Sequence, residues 1–337
     1  MALEVLITVR FDEAHLEKLK ASVPDIHIHA IATRQFDDVP VDIRQAIEVL
    51  YTASAFPRSQ EEVPRLRWIQ LHSAGANHLP DWLKTQERIV ITTASGIHAV
   101  PMAEYTFMSI LAWLRHLPTL LEYQRRAEWP ASGWEVFAAY ELRDMTMGIL
   151  GYGSIGREIG RLAHAFGMRV LAMRRHGGTK EDRGYVVPGT GDPEGVIPAA
   201  WYTPDRLLEM LPLCDVVVNV LPLTPETYHM VNAQAFAAMK PGAYFVNIGR
   251  GATVDEAALV RALQEGRIAG AGLDVFEKEP LPPESPLWKM KNVILSPHIS
   301  ALTHRYRDRA MDLFITNLRR YLEGAPLFNR FDPQLQY

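Results

Sequence analysis

Short apolar runs alternate with stretches of helical periodicity along the first hundred residues of the chain. The runs are as long as buried strands and rich in β-branched residues, and the stretches between them carry apolar residues at helical spacing. Strands that alternate with helices predict a parallel sheet that is covered by helices on both faces. The predicted strands read EVLITV, IHIHAI, AIEVLYTA, RLRWIQLH and RIVITTAS, and the first predicted helix reads DEAHLEKLKA.

The stretch from Pro101 to Leu117 is apolar almost all the way round a helical wheel. Pro101 suits the first turn of a helix, where a missing N–H group costs no intrahelical hydrogen bond. A helix without a polar face has to be buried. We therefore expect this helix to lie between domains or between subunits.

A second alternation of strands and helices follows this helix. Its helical segment VDEAALVRALQEG ends at Gly266, which suits a C-terminal cap because glycine adopts the left-handed conformation easily. Six strands of this kind make a dinucleotide-binding sheet. They read TMGILG, RVLAMRR, DVVVNVL, AYFVNIG, AGAGLDVF and NVILSPH.

Two segments differ from this alternation. Residues 177–204 are rich in glycine and proline and are long for a structureless connection, so we predict a lid, an oligomer contact or a disordered loop. The last helical pattern, RYRDRAMDLFITNLRRYLEG, follows the sixth strand of the second alternation. We expect it to pack back on the first domain, which would make that domain discontinuous in sequence.

Length, composition and charge narrow the class of protein. The 337 residues suffice for about two domains, and 48% hydrophobic and 22% charged residues are typical of an ordinary globular protein. A formal net charge of -4 gives no long-range attraction to nucleic acids or anionic membranes. The apolar run between Glu4 and Arg10 is too short for a signal peptide or a membrane span, so we expect a cytoplasmic protein.

The cysteine and histidine residues argue against a metal site. A single cysteine, Cys214, excludes an internal disulfide and a thiolate cluster, and its apolar neighbours indicate a core side chain. His27 and His29 share one face of a predicted strand, but no third ligand is evident nearby in the sequence. We therefore predict an exposed histidine pair and no metal.

The segment ILGYGSIGREIG places Gly151, Gly153 and Gly156 between a predicted strand and a predicted helix. In this G-x-G-x-x-G spacing the first glycine allows a tight turn, the second lets the backbone approach a pyrophosphate, and the third lets the helix pack closely on the strand. The amino terminus of the helix then faces the phosphates. The alternative, a glycine-rich turn without a ligand, is disfavoured by the surrounding strand, turn and helix pattern.

Arg174 and Arg175 end the second strand of this sheet, about where an acid normally binds the adenosine ribose hydroxyls. An aspartate there would repel a 2′-phosphate, whereas a guanidinium group can bind it through two charge-assisted hydrogen bonds. The sign of the charge favours NADP over NAD. The alternative is that both arginines are solvated surface residues and that the protein uses NAD without an acidic anchor.

Five longer motifs cover most of the second domain: MAEYTF, GILGYGSIGREIGRLAHAFGMRV, LPLTPETYHMVNAQAFAAMKPGAYFVNIGRGATVDEAALVRAL, AGAGLDVFEKEPLP and NVILSPHIS. With these motifs, the chain from Ser95 to Ser300 resembles the D-isomer-specific 2-hydroxyacid dehydrogenases, which include glyoxylate/hydroxypyruvate reductases, phosphoglycerate dehydrogenases and formate dehydrogenases. The first hundred residues match more loosely, mainly at LHSAGANHL. The implied fold is α/β with two parallel-sheet domains: a flavodoxin-like substrate domain of residues 1–99 and 302–337, and a Rossmann NAD(P)-binding domain of residues 100–301.

The resemblance implies a catalytic set of Arg250 in NIGRG, Glu279 in FEKEP and His298 in SPHIS. Histidine suits a general acid that protonates the carbonyl oxygen while hydride reaches the carbonyl carbon. A carboxylate beside the imidazole stabilises its protonated form; this part is assigned to Glu279, although Glu277 lies only two residues away. Arg250 would bind the substrate carboxylate and polarise the carbonyl. The ordinary alternatives are a surface arginine, a solvated loop carboxylate and a core histidine.

Further ligands are implied by the resemblance alone. The backbone amides of Ala74 and Gly75 in HSAGA would bind the other oxygen of the substrate carboxylate, and Asp274 in GLDVF would contact the nicotinamide carboxamide. Aromatic residues that either face the substrate or pack in the core are Trp134, Phe137, Tyr140 and Tyr306. The dinucleotide would also be contacted by Ser154, Ile155, Leu221, Pro222, Thr227, Ile248, Gly249 and Ser300.

These features predict an NADP-dependent reductase that converts small 2-oxo acids, such as glyoxylate, hydroxypyruvate or pyruvate, to D-2-hydroxy acids, with domain closure excluding water. NAD is the alternative cofactor. A formate dehydrogenase is disfavoured, because that branch is expected to pair its histidine with glutamine where this chain has Glu279. The competing function is a dinucleotide-regulated corepressor on the same fold. The family also implies a homodimer, with which the apolar 101–117 helix is compatible.

Overall fold

The chain forms two compact units, each with its own parallel sheet. The computed structural model describes residues 2–76, 78–176 and 178–332. The first unit comprises Met1–Ile97, Arg183–Val187 and Thr303–Tyr337, and the second comprises His98–Asp182 and Pro188–Leu302. Four parts of the predictions lie outside the described residues: Met1 and residues 333–337 of the predicted substrate domain, Asn77 of LHSAGANHL, and Gly177 of the 177–204 segment.

The described part of the first unit contains a five-stranded parallel sheet: β1 Leu3–Ile7, β2 Ile26–Ala30, β3 Val49–Thr52, β4 Trp68–Leu71 and β5 Val90–Thr92. The strand order is β2-β1-β3-β4-β5, the flavodoxin-like order, so the predicted fold of this region is confirmed. Its helices are α1 Glu13–Ser22, α2 Val41–Ala46, α3 Asp81–Thr85 and α11 Tyr306–Leu322.

Both faces of this sheet are covered, because its strands are apolar at successive positions. Val5 and Ile7 of β1 point into one core layer, and Leu6 points into the other. Met311 and Phe314 of α11 are fully buried in the first of these layers. The last helix therefore packs on the first sheet, although it follows the second sheet in sequence.

Within the described residues, the sheet of the second unit has seven parallel strands: β6 Thr146–Leu150, β7 Arg169–Met173, β8 Ala200–Tyr202, β9 Val216–Asn219, β10 Tyr244–Asn247, β11 Gly270–Leu273 and β12 Val293–Leu295. The order is β12-β11-β10-β9-β6-β7-β8. Counted from β6, this is the doubly wound order 3-2-1-4-5-6 with a seventh strand added, so the predicted Rossmann fold is confirmed. The helices are α4 Ala99–Leu114, α5 Leu117–Arg126, α6 Gly133–Phe137, α7 Ser154–Ala165, α8 Leu207–Met210, α9 Ala233–Ala238 and α10 Glu256–Gln264.

Strand β8 corrects the prediction of a six-stranded sheet. The six predicted strands all form, but they omit the strand that lies third in the doubly wound order. β8 is only three residues long and half-buried, and its backbone pairs with β7 from Leu171 to Met173. A run this short has no recognisable hydrophobic period, so the strand is defined by its neighbour rather than by its own pattern.

The apolar helix α4 is buried within the second unit itself. Met102, Phe107 and Ile110 belong to the core layer that also contains Ile149 of β6 and Ile159 of α7. Much of its apolar circumference is therefore covered by packing inside the second unit. A contact of this helix between domains or subunits stays a prediction. No helix of the described residues is long and apolar enough to cross a membrane.

The segment 177–204 is bound to α7 by buried polar groups. The carboxylate of Asp192 accepts hydrogen bonds from the hydroxyl of Tyr152 at 3.0 Å and from the amide of Val196 at 3.0 Å. Arg157 of α7 donates to the carbonyl oxygens of Asp192 and Lys180, at 2.5 and 2.6 Å. Buried polar groups satisfied in this way hold a fixed conformation. A disordered loop is therefore wrong for the described residues of this segment.

Cys214 is fully buried in the other core layer of the second sheet, as predicted from its apolar neighbours. Burial raises the pKa of its thiol to about 12. The thiolate needed for a reactive cysteine is therefore absent at neutral pH.

Candidate active site

The glycine-rich loop joins β6 to α7 at the carboxyl edge of the second sheet. Gly151 has a φ of 99°, a conformation that favours glycine. A Cβ on Gly156 would lie 2.2 Å from the carbonyl oxygen of Gly151, so only glycine lets the helix start this close to the strand. A Cβ on Gly153 would meet nothing within 4 Å, so this side of the loop is open to a ligand. The conformation of Gly151 and the space around Gly153 and Gly156 fit a loop that holds a pyrophosphate.

The first turn of α7 provides hydrogen-bond donors beside this open side. In the part of the chain that the structure describes, the amides of Ser154, Ile155 and Gly156 have no acceptor, whereas the amide of Arg157 donates to Gly153 at 2.9 Å. The positive end of the helix dipole adds to the attraction for an anion. Ser154 and Ile155 thus lie where backbone contacts to phosphate are predicted.

Arg174 and Arg175 follow β7 at the same edge of the sheet. The guanidinium of Arg174 stacks on the indole of Trp201, with 5.0 Å to the ring centroid, and donates to the carbonyl oxygen of Gly178. Arg174 is half-buried and Arg175 is exposed. A guanidinium carries five N–H donors, so most of those on Arg174 remain for an anion. No carboxylate among the described residues forms an ion pair with Arg174.

Arg250 follows β10 and is exposed. Its Nη1 donates to the carbonyl oxygen of Gly249 at 2.8 Å, and its own carbonyl oxygen accepts the hydroxyl of Thr253 at 2.6 Å. Over residues 2–76, 78–176 and 178–332, no carboxylate forms an ion pair with this guanidinium. Its positive charge is therefore available to an anionic ligand.

Glu279 and His298 come together from the segments that follow β11 and β12. Nδ1 of His298 lies 2.8 Å from Oε2 of Glu279, and Oε1 of the same carboxylate accepts the amide of Phe276 at 3.0 Å. The two side chains are 48% and 36% exposed. Because Nδ1 is held by the carboxylate, Nε2 is the ring nitrogen left to exchange a proton with a ligand.

The competing carboxylate, Glu277, has other partners. Its Oε1 contacts Nε2 of His229 and accepts the amide of Glu256 at 3.4 Å. Its own amide donates to the carboxylate of Glu256 at 3.1 Å. Of the two carboxylates between which the sequence leaves a choice, Glu279 is therefore the one beside His298.

Asp274 determines the course of the segment that carries His298. Its buried carboxylate accepts the hydroxyl of Ser296 at 2.5 Å and the amides of Ile299 and Ser300 at 2.8 and 2.9 Å. Its carbonyl oxygen accepts the amide of His298 at 2.9 Å. His298 has a φ of 54°, a conformation that costs a non-glycine residue about 1 kcal/mol or more. The predicted ligand residues Asp274 and Ser300 thus hold the histidine in this conformation.

Tyr105, in the MAEYTF motif, extends this network. Its hydroxyl lies 2.5 Å from the hydroxyl of Ser296, which in turn donates to Asp274. Burial raises the pKa of Tyr105, so the hydroxyl stays protonated at neutral pH. The motif therefore supports the histidine segment from α4.

The loops after β9 and β10 lie against each other. A Cβ on Gly249 would be 2.7 Å from the carbonyl oxygen of Leu221. The hydroxyl of Thr227 donates to the carbonyl oxygen of Pro222 at 2.6 Å and so closes the loop after β9. Ile248 is buried, which leaves its backbone rather than its side chain to a ligand. These predicted cofactor residues form one continuous edge.

Three buried polar residues that the sequence analysis does not single out shape these two loops. Nδ2 of Asn219 donates to Oδ1 of Asn247 at 3.0 Å and to the hydroxyl of Thr253 at 2.7 Å. The side-chain oxygens of the two asparagines accept the amides of Leu221 and Gly249, both at 3.3 Å. The available signal was that two neighbouring apolar strands, VVVN and YFVN, each end in asparagine.

Ala74 and Gly75 lie in the first unit, in the loop after β4. The hydroxyl of Ser73 donates to the carbonyl oxygen of Gly75 at 2.8 Å, and the amide of Ala94 donates to the carbonyl oxygen of Ser73 at 2.9 Å. No acceptor among the described residues binds the amides of Ala74 and Gly75. Adjacent unpaired amides of this kind can bind an anion.

His72 begins this loop and is held by two tyrosines. The hydroxyl of Tyr51 lies 2.6 Å from its Nδ1, and the hydroxyl of Tyr306 donates to its carbonyl oxygen at 2.7 Å. Burial, with a smaller effect of the positive Arg307, lowers the pKa of His72 to about 4. The ring is therefore neutral at pH 7. Tyr306, for which the sequence leaves both substrate contact and packing open, supports the loop.

The other three aromatic candidates lie in the second unit. Trp134 and Tyr140 are 82% and 77% exposed. Phe137 packs edge-on against His116 and Tyr123. Within the second unit, Phe137 therefore packs against aromatic neighbours, whereas the side chains of Trp134 and Tyr140 are exposed.

Residues 107–300 match the family model described as the NAD-binding domain of D-isomer specific 2-hydroxyacid dehydrogenases. The chain is 35% identical to a glyoxylate reductase of Korarchaeum cryptofilum over 269 residues, which cover 78% of this chain and 75% of the relative. It is 32% identical to glyoxylate/hydroxypyruvate reductase B of Escherichia fergusonii over 333 residues, which cover 94% and 98%.

Among the solved structures that resemble the whole chain, two were determined with a bound dinucleotide of the NADP type. One is a D-isomer specific 2-hydroxyacid dehydrogenase of Xanthobacter autotrophicus in complex with NADPH, with a TM-score of 0.79, 27% identity and full coverage of both chains. The other is an NADPH-dependent glyoxylate/hydroxypyruvate reductase of Sinorhizobium meliloti in complex with NADP, with a TM-score of 0.72, 26% identity and coverage of 99% and 100%.

Proposed function

The chain belongs to the D-isomer specific 2-hydroxyacid dehydrogenase family, and we propose that it reduces small 2-oxo acids to D-2-hydroxy acids with NADPH as the preferred reductant. The proposed substrates are of the glyoxylate, hydroxypyruvate or pyruvate type, since the relatives described above are named glyoxylate or glyoxylate/hydroxypyruvate reductases. The observation that carries the proposal is the 2.8 Å contact between His298 and Glu279 at the sheet edge that also carries Arg250.

The residues of the second unit fit a nicotinamide dinucleotide. The open side at Gly153 and the unpaired amides of Ser154 and Ile155 suit its two phosphates. The loop edge formed by Leu221, Pro222, Thr227, Ile248 and Gly249 is proposed to bind the ribose and nicotinamide side. When bound, the dinucleotide supplies the hydride that adds to the carbonyl carbon of the substrate.

The preference for NADPH rests on Arg174 and Arg175. A 2′-phosphate carries up to about two negative charges, which a guanidinium binds through charge-assisted hydrogen bonds. Stacking on Trp201 holds the guanidinium plane of Arg174 before any ligand arrives. The NADPH and NADP complexes of the two related structures are consistent with this preference.

His298 is the proposed general acid and base. Its Nε2 donates a proton to the carbonyl oxygen during reduction and takes it back in the reverse direction. Glu279 accepts the Nδ1–H hydrogen bond, which orients the ring and stabilises the imidazolium form. Asp274 holds the backbone of His298, so it positions the acid rather than exchanging a proton.

Arg250 is proposed to bind the substrate carboxylate through two N–H groups and to polarise the carbonyl with its charge. The bond from its Nη1 to Gly249 limits the motion of the guanidinium. In the first unit, the amides of Ala74 and Gly75 are proposed ligands of a carboxylate oxygen. We propose no metal for this reaction.

The test follows oxidation of NADPH and of NADH with glyoxylate, hydroxypyruvate, pyruvate and larger 2-oxo acids. We expect turnover with at least one acid, a D-configured product by chiral analysis, and a higher kcat/KM with NADPH. His298→Gln should still bind NADPH but lose about 100-fold or more in kcat, because it lacks the acid. Wild-type binding of NADPH without turnover on the whole panel would contradict the proposal and favour the corepressor alternative.

A homodimer is proposed from the resemblance, and a cytoplasmic location from the short apolar run between Glu4 and Arg10. Helix α4 is mostly buried in its own unit, whereas Leu120, Trp129 and Trp134 farther along the chain are exposed and apolar. The segment 120–134, which carries these three residues, is the better candidate for a contact between subunits than residues 101–117. Light scattering of the purified protein measures the oligomeric state, and a monomeric mass would contradict the dimer.

A further inference from the structure

Glu4, His27 and His29 form a compact group of ligand atoms on the first sheet. The two histidines are two residues apart on β2, so their side chains share one face, and β1 pairs with β2 so that Glu4 lies opposite His27. Oε2 of Glu4 lies 2.9 Å from Nδ1 of His27 and 2.8 Å from Nε2 of His29. One ligand atom from each residue lies within 4.8 Å of the other two.

We propose that this group binds one divalent transition-metal ion of the zinc class through two imidazole nitrogens and one carboxylate oxygen. The sequence predicts no metal because no third ligand is evident near His27 and His29. Strand pairing supplies that ligand from a position 23 residues away. The group lies in the first unit and shares no residue with the proposed catalytic set of Arg250, Glu279 and His298.

The donor atoms select the kind of metal. Imidazole nitrogens suit Zn²⁺, Ni²⁺ and Cu²⁺, whereas Ca²⁺ and Mg²⁺ prefer oxygen ligands throughout. Zn²⁺ bonds of about 2.0–2.2 Å set tetrahedral ligand atoms about 3.4 Å apart, so each nitrogen withdraws from the Glu4 oxygen by only about 0.5 Å. His27 is 61% exposed and is free to rotate by this amount. Its exposure also leaves room for water as the fourth ligand.

Binding of the ion depends on the protonation of its ligands. An ionised carboxylate with two neutral imidazoles is the form that binds metal, so protons compete with the ion. Since β2 is the edge strand, the ion would tie this edge to β1 and stabilise the folded chain by mass action.

The experiment titrates Zn²⁺ by calorimetry into the full chain after removal of any affinity tag and chelation of bound metal. We expect one equivalent to bind wild type. This step should be lost in His27→Gln and in His29→Gln, and weakened about tenfold or more in Glu4→Gln. His164→Gln is the matched control, because His164 is exposed on α7 outside the group.

A second control and a second readout separate this site from other histidines. His298→Gln should bind Zn²⁺ as wild type does, since the proposed ligands lie elsewhere. Addition of Zn²⁺ should raise the melting temperature of wild type and of His164→Gln, but not of His27→Gln, whose fold is checked by circular dichroism. The proposal is overturned if wild type binds no stoichiometric Zn²⁺, if binding survives in His27→Gln and His29→Gln, if Glu4→Gln binds as tightly as wild type, or if either control variant loses it.

Discussion

The backbone of Gly251 packs against the carbonyl group of Phe276 so closely that a Cβ on the glycine would lie 1.9 Å from the carbonyl oxygen. Gly251 directly follows Arg250, and Phe276 donates its amide to the carboxylate of Glu279. The contact therefore joins the loop that carries the guanidinium to the loop that carries the partner of His298.

Replacing this glycine should separate the two loops. We expect Gly251→Ala to lower kcat/KM for 2-oxo acid reduction about 100-fold or more, because a displacement of about 1 Å at reacting groups has effects of this size. Steady-state kinetics measure the loss. Gly242→Ala is the control, because its Cβ would meet nothing within 4 Å. Equal activity of Gly251→Ala and Gly242→Ala would show that the contact does not position Arg250.

Gly153 and Gly156 of the glycine-rich loop should respond differently to an added methyl group. Gly153→Ala adds a methyl group in open space, so we expect unchanged stability but NADPH binding weakened about tenfold or more by steric exclusion of the phosphates. Gly156→Ala places its Cβ 2.2 Å from the carbonyl oxygen of Gly151 and should cost about 1–3 kcal/mol of stability. Thermal denaturation and NADPH titration separate the two effects. Wild-type affinity in Gly153→Ala would contradict the assignment of this loop.

The two neighbouring carboxylates offer a matched pair of substitutions. Glu279→Gln removes the carboxylate that orients the ring of His298, and we expect kcat to fall about 10–100-fold. Glu277→Gln disturbs His229 instead and should leave kcat near wild type. Steady-state kinetics of the two variants test this. An effect of Glu277→Gln as large as that of Glu279→Gln would refute the pairing.

Arg174 should determine the choice of dinucleotide. Arg174→Asp replaces donors to the 2′-phosphate with a repelling charge, and we expect the KM for NADPH to rise about 10- to 100-fold, since each lost charge-assisted bond is worth roughly 1.5–3 kcal/mol. The KM for NADH should rise far less. Arg206→Asp is the control, because it makes the same charge change at an arginine that is already bound to Glu209. An unaltered ratio of NADPH to NADH efficiency in Arg174→Asp would exclude the phosphate assignment.

His72 should make the stability of the chain sensitive to acid. Its pKa is about 4 in the folded protein, against an ordinary histidine value of 6.5, so between these values the unfolded chain binds a proton that the folded chain does not. The contribution of His72 to the free energy of unfolding is therefore complete above pH 6.5 and is lost as the pH falls toward 4. At pH 5 the loss is about 2 kcal/mol. Urea denaturation at neutral pH and at about pH 5 measures the loss.

His72→Asn is the variant for this test, because an amide oxygen can accept the Tyr51 hydroxyl without titrating. We expect a smaller difference in stability between the two pH values than in wild type. The exposed His164→Asn serves as the control and should lose stability with acid as wild type does. An identical loss in all three proteins would mean that His72 does not account for the sensitivity.

The hydrophobic pattern predicts most of the fold, because each strand buried on both faces is a continuous apolar run. Eleven of the strands among the described residues lie in runs identified from the sequence, and Gly266 ends α10 with a φ of 64° as its position suggests. β8 was missed because three half-buried residues carry no period. The packing of α4 on β6 and α7 was not predicted, because a sequence shows that a helix is apolar all round but not which neighbours cover it.

For the candidate site, too, some features could be predicted from the sequence and others could not. The environments of the three glycines Gly151, Gly153 and Gly156 could be predicted from spacing, because they depend on local backbone geometry. Glu279 is preferred over Glu277 from its place immediately before Pro280, but the partners of Glu277 could not be predicted, because two residues so close in sequence enter different surroundings when the loop turns. The supporting bonds of Asn219 with Asn247, and of Tyr105 with Ser296, join residues far apart in the chain.

By itself the amino-acid sequence determined the two sheets, the glycine-rich turn between β6 and α7 and the chemical types at the carboxyl edge, since these follow from the order of apolar and polar residues along short segments. Only the tertiary structure decided what Glu277 contacts instead of His298, how Asp274 holds that histidine, and that Glu4 joins His27 and His29. The physical reason is that hydrogen bonds and metal ligation depend on distances of a few ångströms, which strand pairing and loop packing set between residues that the chain itself keeps apart.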